Sequence, residues 1–304
     1  MGIKRVLVRS YFGIGDVLLQ TPAIAYIRRV LGRRVEIVHQ TMEVNLVGKN
    51  SILWGNPNID LVDPPCVGEV DLTINLGGYQ HYSLPELAAY HRDFTHTRMF
   101  CDMAKKALPE NNRWVSKRGL RPVLYLKKAD RTVAKKYPYR KTRVALCRAT
   151  KGCPQKTWPV PKWQMLAKRL RKMGCEVVAV GVDGDFHFKY SDLDLVGQLT
   201  FRETAAFLET CDVFIGHGDG LAVAAYALKV PTVCIWGTFA DPTHYFDDVR
   251  YIKTVGIEMD CSYRYTYDYT TWLDTPCIYN KACPCITGVS VDKVVNEVHN
   301  FLAR

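Results

Sequence analysis

The sequence lacks any apolar run approaching the roughly 20 residues that cross a bilayer. Its basic start, "MGIKRVLVRS", carries too short an apolar stretch for a signal peptide. Without a secretory signal, the eleven cysteines read as thiols and not as a disulfide framework. Gly2 fits a myristoylation site poorly, because the residues after it read as a buried strand. No short-period repeat is present, which excludes solenoids and propellers. Acidic residues are scarce in one place: residues 101–172 hold 22 Lys or Arg against 3 Asp or Glu. The rest of the chain sums to −8 beneath an overall formal charge of +11. A segment so basic favours an anionic partner (phosphate groups, a membrane surface or nucleic acid) or else is a solvated linker and helix face. These absences predict a cytoplasmic protein.

What is present is an alternation of strand and helix. The 304 residues, 48% hydrophobic and 23% charged, suit two domains of ordinary size. "KRVLVRS" reads as a strand, followed by a helix from Pro22 with Thr21 as its N-cap and Gly32 as its stop. "RVEIVH" and "VDLTINLGG" are further strands, and "SLPELAAY" opens with Ser83 and Glu86 in capping-box spacing. The pattern restarts after the basic stretch near 127–141. "TRVALCRAT", "CEVVAVG", "DVFIGHGDG" and "PTVCIWG" are strands, interleaved with helices that include "VPKWQMLAKRLRKMG", "TFRETAAFLETC" and the almost purely apolar "LAVAAYALKV". The expected fold is α/β, two Rossmann-like domains with parallel sheets facing a cleft. Domain boundaries are placed at 1–135 and 136–288, and a terminal amphipathic helix, 289–304, is expected to pack back toward the N-terminal domain.

Ligands in open α/β sheets bind where strand ends feed glycine turns. Two turns qualify: "GIGD" at 13–16 and "GHGDG" at 216–220. Neither is a complete dinucleotide fingerprint, since "GIGD" lacks the third glycine. Gly218 and Gly220 would admit a phosphate to backbone N–H groups at the start of a buried helix from Leu221. Asp219 fits a bare phosphate poorly and is read as a partner for a ribose or sugar hydroxyl, or as a helix cap. Lys156, just ahead of a helix start in "KTWPVPKW", is placed to reach a diphosphate as a point charge.

"GIGDVLLQTPAIAYIRR", "KTWPVPKWQMLAKRL", "VVAVGVDGD" and "LVGQLTFRETAAFLETCDVFIGHGDGLAVAAYALKVPTVCIWG" occur in that order. Together they resemble glycosyltransferase family 9, the ADP-heptose:lipopolysaccharide heptosyltransferases, over nearly the whole chain. The resemblance implies the GT-B fold, an N-terminal acceptor domain, a C-terminal nucleotide-sugar donor domain, and inverting chemistry that requires no metal. It makes Asp16 the general base that takes the proton of an acceptor hydroxyl, with Gly13 beside the acceptor. It assigns Gly15, Lys156, Thr157, Asp183, His217, Gly218, Asp219, Gly220 and Leu221 to the donor, an ADP-sugar being favoured. The acceptor it implies is lipopolysaccharide or another surface glycan, met peripherally at the inner face of the cytoplasmic membrane.

The sequence also departs from the family pattern. Where the family reads Asp-Ser/Thr-Gly and then a histidine three residues on, this chain has Gly218, Asp219, Gly220 and then Val223. His217 could compensate, although a strand-end histidine is more often structural. Four late cysteines, Cys261, Cys277, Cys283 and Cys285, would suit tetrahedral zinc or iron, and some relatives bind iron through such residues. Their spacing lacks a C-x2-C pair, and free thiols in a tyrosine-rich loop are the favoured reading. Three alternatives stay open: a phage-type transferase acting on modified DNA bases, a binding protein for nucleotide-sugars or nucleic acid that has lost catalysis, and a nucleotide-sugar epimerase.

Overall fold

The computed structural model describes residues 2–10, 13–41, 51–77, 96–108, 120–139, 141–148, 156–237, 249–257, 259 and 283–304. The chain divides into two compact units, the first running to Lys127 and the second beginning at Lys128, at the head of the basic stretch.

The first unit is built on β1 (Arg5–Ser10), β2 (Glu36–Thr41), β3 (Leu61–Val62) and β4 (Leu72–Leu76), hydrogen-bonded in the order β3-β2-β1-β4. Every pair is parallel. Val6, Leu7 and Val8 are all buried, as a parallel strand covered on both faces requires. Among the described residues this unit has the helices α1 (Ile14–Leu19), α2 (Thr21–Leu31) and α3 (His96–Ala107). The chain is already helical from Ile14, earlier than the expected start at Pro22, because "DVLL" contains no breaker. Thr21 therefore does not act as an N-cap. Its hydroxyl donates to the Leu18 carbonyl at 2.7 Å and accepts from the Val123 N–H at 2.9 Å. Gly32, at φ +77°, ends α2 as expected. The buried Arg28 is fully engaged, donating to the carbonyls of Gly32, Val35 and Asn58 and pairing with Asp60. The helix expected over "SLPELAAY" lies outside the described residues.

The second unit carries β5 (Arg143–Leu146), β6 (Glu176–Ala179), β7 (Leu193–Asp194), β8 (Val213–His217), β9 (Thr232–Ile235) and β10 (Ile252–Val255). Their order is β10-β9-β8-β5-β6-β7, all parallel. The order reverses between β5 and β8. Connections leaving these two strands go to opposite sides, and the carboxyl ends at such a switch point are where this architecture binds ligands.

The α-helices described in the second unit are α4 (Val160–Lys172), α5 (Phe201–Leu208), α6 (Gly220–Ala227), α7 (Pro284–Thr287) and α8 (Val291–Leu302). The capping box expected at α5 is formed: the Thr200 hydroxyl accepts from Glu203 N–H, and the Glu203 carboxylate accepts from Thr200 N–H at 2.9 Å. Trp163, Leu166, Ala167 and Leu170 of α4 are completely buried. Trp158 and Trp163 meet edge to face at 5.3 Å between ring centroids. Helix α8 packs Val294, Val295, Val298 and Phe301 into the same core as Trp158 and Trp163, in the second unit. Its apolar stripe needed burial, and the α4 face of this sheet provides it.

Candidate functional site

In the first unit the site is the carboxyl end of β1. Gly13, in extended backbone at ψ 170°, is the N-cap of α1, and Asp16 falls in that helix's first turn, half-buried. The positive end of the helix favours a carboxylate there. A side chain at Gly13 would begin 3.8 Å from Asp16 Oδ2, so the bare glycine leaves the carboxylate uncrowded. Gly15 lies within the same turn.

Immediately behind it lies a buried set absent from the sequence reading. Ser10, the last residue of β1, lies 2.7 Å through Oγ from Nε2 of His39, on β2. The His39 Nδ1 is 3.9 Å from Asp63 Oδ1. Asp63, at φ +44°, holds the Thr41 N–H at 2.5 Å. Burial pulls the His39 pKa down to about 4, against the opposing pull of Asp63. The ring is therefore neutral near pH 7, and a proton on Nδ1, turned toward Asp63, leaves Nε2 to accept from the Ser10 hydroxyl. This resembles a serine triad in its order of groups, but Ser10 and His39 are completely buried. A nucleophile sealed from substrate has no chemistry to do, so the set braces the strand end that precedes Asp16. Periodicity could not reveal it, because the pairing joins positions on different strands.

In the second unit the site gathers at the carboxyl ends of β5, β6, β8 and β9. Lys156, His217, Gly218, Ile235, Trp236 and Gly237 line a shallow hollow at these strand ends. Thr157 follows Lys156, half-buried. His217 accepts from the Trp158 N–H through Nε2 at 3.0 Å, and its Nδ1 lies 3.1 Å from the Arg148 carbonyl. Both ring nitrogens thus engage backbone groups, and the neutral Nδ1–H tautomer satisfies both. His217 fastens the loop after β5 to β8, a structural duty.

The α6 turn carries a cap of its own: Asp219 Oδ1 accepts from the N–H groups of both Leu221 and Ala222 at 3.0 Å, so two of the N–H groups at the helix start are already engaged. Gly218 makes room for a ring: a methyl there would lie 2.2 Å from Trp236 Cζ3. Gly220 is simply the first residue of α6. The buried Asp219 carboxyl is pushed up to about 7 by desolvation, which outweighs its two backbone donors and the Lys156 charge; Asp185 pushes the same way.

Asp183 is exposed in the turn after β6. Its neighbour Asp185, which the sequence reading passed over, is the acid that acts on this cluster. Asp185 Oδ2 accepts from Val182 N–H at 2.7 Å and lies against Gly181, where a methyl would come within 2.5 Å. Arg148, also passed over, follows β5 with its guanidinium 5.2 Å from the Phe186 ring centroid. The only signal for either was position: each stands within the loop after a strand of the restarted α/β pattern.

Of the late cysteines, Cys283 and Cys285 are buried at the start of α7, while Cys261 and Cys277 lie outside the described residues. Among the described residues no group of three or more His, Cys, Asp or Glu is arranged to hold a metal. No described helix is long and apolar enough to cross a membrane.

Residues 115–245 match the family described as glycosyltransferase family 9 (heptosyltransferase). The autotransporter heptosyltransferase TibC of Escherichia coli O78:H11 is 24% identical over 174 residues, 52% of this chain and 43% of TibC. The chain thus spans less than half the length of that curated relative. The crystal structure of TibC, described as an iron-containing dodecameric glycosyltransferase, matches at TM-score 0.74 and 17% identity, covering all of this chain and 78% of that one. A family 9 glycosyl transferase from Veillonella parvula matches at TM-score 0.70 and 14% identity over 99% and 97% of the two chains. The E. coli ADP-heptose lipopolysaccharide heptosyltransferase II matches at TM-score 0.66 and 14% identity, over 98% of each. The two-unit parallel α/β architecture is therefore the GT-B fold of the glycosyltransferases it matches, and over residues 115–245 the chain is similar to glycosyltransferase family 9, the heptosyltransferases.

Proposed function

We propose that this chain is an inverting glycosyltransferase that moves a heptose-like sugar from an ADP-sugar to a hydroxyl of a surface-glycan acceptor. The carrying observation is Asp16: a half-buried carboxylate in the first turn of a helix launched from the central part of a parallel sheet. In this reading Asp16 takes the proton of the acceptor hydroxyl as its oxygen attacks the anomeric carbon. The bond from that carbon to the diphosphate breaks, the nucleoside diphosphate leaves with the electron pair, and attack opposite the leaving group inverts the centre. Lys156 supplies positive charge for the developing diphosphate. Support for the donor comes from TibC, whose structure is known in complex with ADP-D-beta-D-heptose. The basic character of residues 101–172 suits an anionic acceptor or the membrane surface that carries it. Lipopolysaccharide is the acceptor implied by heptosyltransferase II, and a protein is the acceptor implied by the autotransporter heptosyltransferases.

The test is release of ADP from ADP-heptose by the wild-type chain and by Asp16→Asn. Loss of about 100-fold or more in turnover, with ADP still binding, is the expected result. A variant as active as wild type, or a wild-type chain that binds neither ADP nor ADP-heptose, would sink the proposal.

A further inference from the structure

The arrangement of charge in the second unit raises a question about the leaving diphosphate. The α6 N–H groups that could have met it are taken by Asp219. Val223, where the resemblance leads one to expect a histidine, is buried and apolar. Asp219 and Asp185 add two carboxylates to the same cluster. An anion arriving here needs cationic donors to outweigh them, and Lys156 alone is a single point charge.

Arg148 is the second cation. It stands directly after β5, beside the β5/β8 reversal, and its own carbonyl is the group that meets His217 Nδ1. Its guanidinium lies over the face of Phe186. Among the described residues Arg148 makes no ion pair, and its buried Nε has no hydrogen-bond partner. Burial lowers its pKa and the Asp185 charge only partly opposes this, so the group bears a desolvation cost with no counter-ion bonded to it among the described residues. A planar guanidinium held by stacking on a ring is suited to bidentate recognition of phosphate oxygens.

We infer that Arg148 is a binding residue for the diphosphate of the donor, taking a nucleoside diphosphate by its phosphate oxygens where this chain has no histidine. The inference rests on the donor reading proposed above. With Lys156 it gives the leaving group two positive charges. The asymmetry matters for specificity: Asp219 and Asp185 repel a bare anion, so a diphosphate bearing hydroxyl-rich groups, which can donate to carboxylates, is preferred over inorganic phosphate.

The experiment is calorimetric titration of ADP and of adenosine into the full chain, comparing wild type with Arg148→Gln and Arg148→Lys. The expected result is an ADP dissociation constant raised about 10- to 100-fold in R148Q and by less in R148K, with adenosine binding unchanged. ADP binding within twofold of wild type in R148Q overturns the inference, as does an equal loss of adenosine affinity. If R148Q loses its native melting transition, R148K decides, and wild-type ADP affinity in that variant overturns the inference. A wild-type chain that binds no ADP overturns the donor reading and this inference together.

Discussion

The two units use one local grammar, a parallel strand turning into a helix, to opposite electrostatic ends. In the first, the helix N-terminus receives Asp16 from within its own first turn, with Gly13 giving no side-chain cap. In the second, the α6 N-terminus is occupied by the side chain of Asp219. The cores differ as well. The largest completely buried side chains of the first are Phe100, Leu18, Leu19, Ile24, Ile27 and Ile37, whereas the second has Trp158, Trp163, Tyr226, Phe207 and Phe214. Those aromatics reach the functional edge: Trp163 meets Trp158, Phe188 and His217 edge to face at 5.3, 5.6 and 5.4 Å. The comparison teaches that a helix start beside a glycine is not a fixed functional device. What fills it depends on which acid the next residues supply.

The largest way to break the comparison is to remove the aromatic hub. Trp163→Ala should destabilise the second unit by about 3–5 kcal/mol, because the cavity opens beneath three rings at once. The matched change in the first unit, Ile27→Val, should cost only about 1 kcal/mol. Hydrogen exchange resolved by segment separates the two. Equal losses of protection in β8 and β1 after Trp163→Ala would show that the units do not differ in this way.

A smaller effect comes from the two buried titrating groups. His39 has a folded pKa held below its ordinary 6.5, at about 4, so the folded first unit binds a proton less readily than the unfolded chain. Its contribution is present above about pH 6.5 and is lost as pH falls toward 4. Asp219 is shifted the other way, from 3.8 to about 7, so its contribution is present at low pH and lost as pH rises through 7. Asp63 faces His39, and Asp185, Lys156 and the Cys147 thiol face Asp219. Between pH 4 and 6.5 the first unit should therefore gain stability with rising pH while the second loses it, each by at most roughly 3 kcal/mol. Segment-resolved exchange measured across that window checks the sign, and parallel trends in both units would refute the assignment.

How much of this was legible beforehand depends on the range of the cause. Helix ends decided by neighbouring residues were readable: Gly32 and Gly174 at positive φ, and the Thr200–Glu203 box. So was the alternation of apolar runs that became two parallel sheets. The start of α1 was misjudged because the glycines of "GIGD" suggested a turn, yet nothing after Gly13 prevents helix until Pro22. The amphipathic stripe of α8 declared that it would be buried, but not against which unit. Gly218 illustrates the limit at the site itself. A glycine announces that something comes close, and only the fold reveals the Trp236 ring packed against it. Ser10, His39 and Asp63 meet through the β1–β2 and β2–β3 pairings, which one strand's pattern does not encode.

The smallest expected change in stability is the most diagnostic. Asp219→Asn keeps an oxygen able to accept from Leu221 and Ala222 N–H, and asparagine caps helices about as well as aspartate. Near pH 5, where the wild-type carboxyl is protonated, the variant should therefore differ by less than about 1 kcal/mol. At pH 8 the wild type carries a desolvated charge next to Asp185 that the amide does not, so the variant should be the more stable of the two. The second unit's pH dependence should then flatten between pH 5 and 8 while the His39 dependence of the first unit, below it, persists. A variant that retains the full slope of the second unit would move the titration to another group. In that case the contrast between an occupied and an acid-bearing helix start would have to rest on geometry alone.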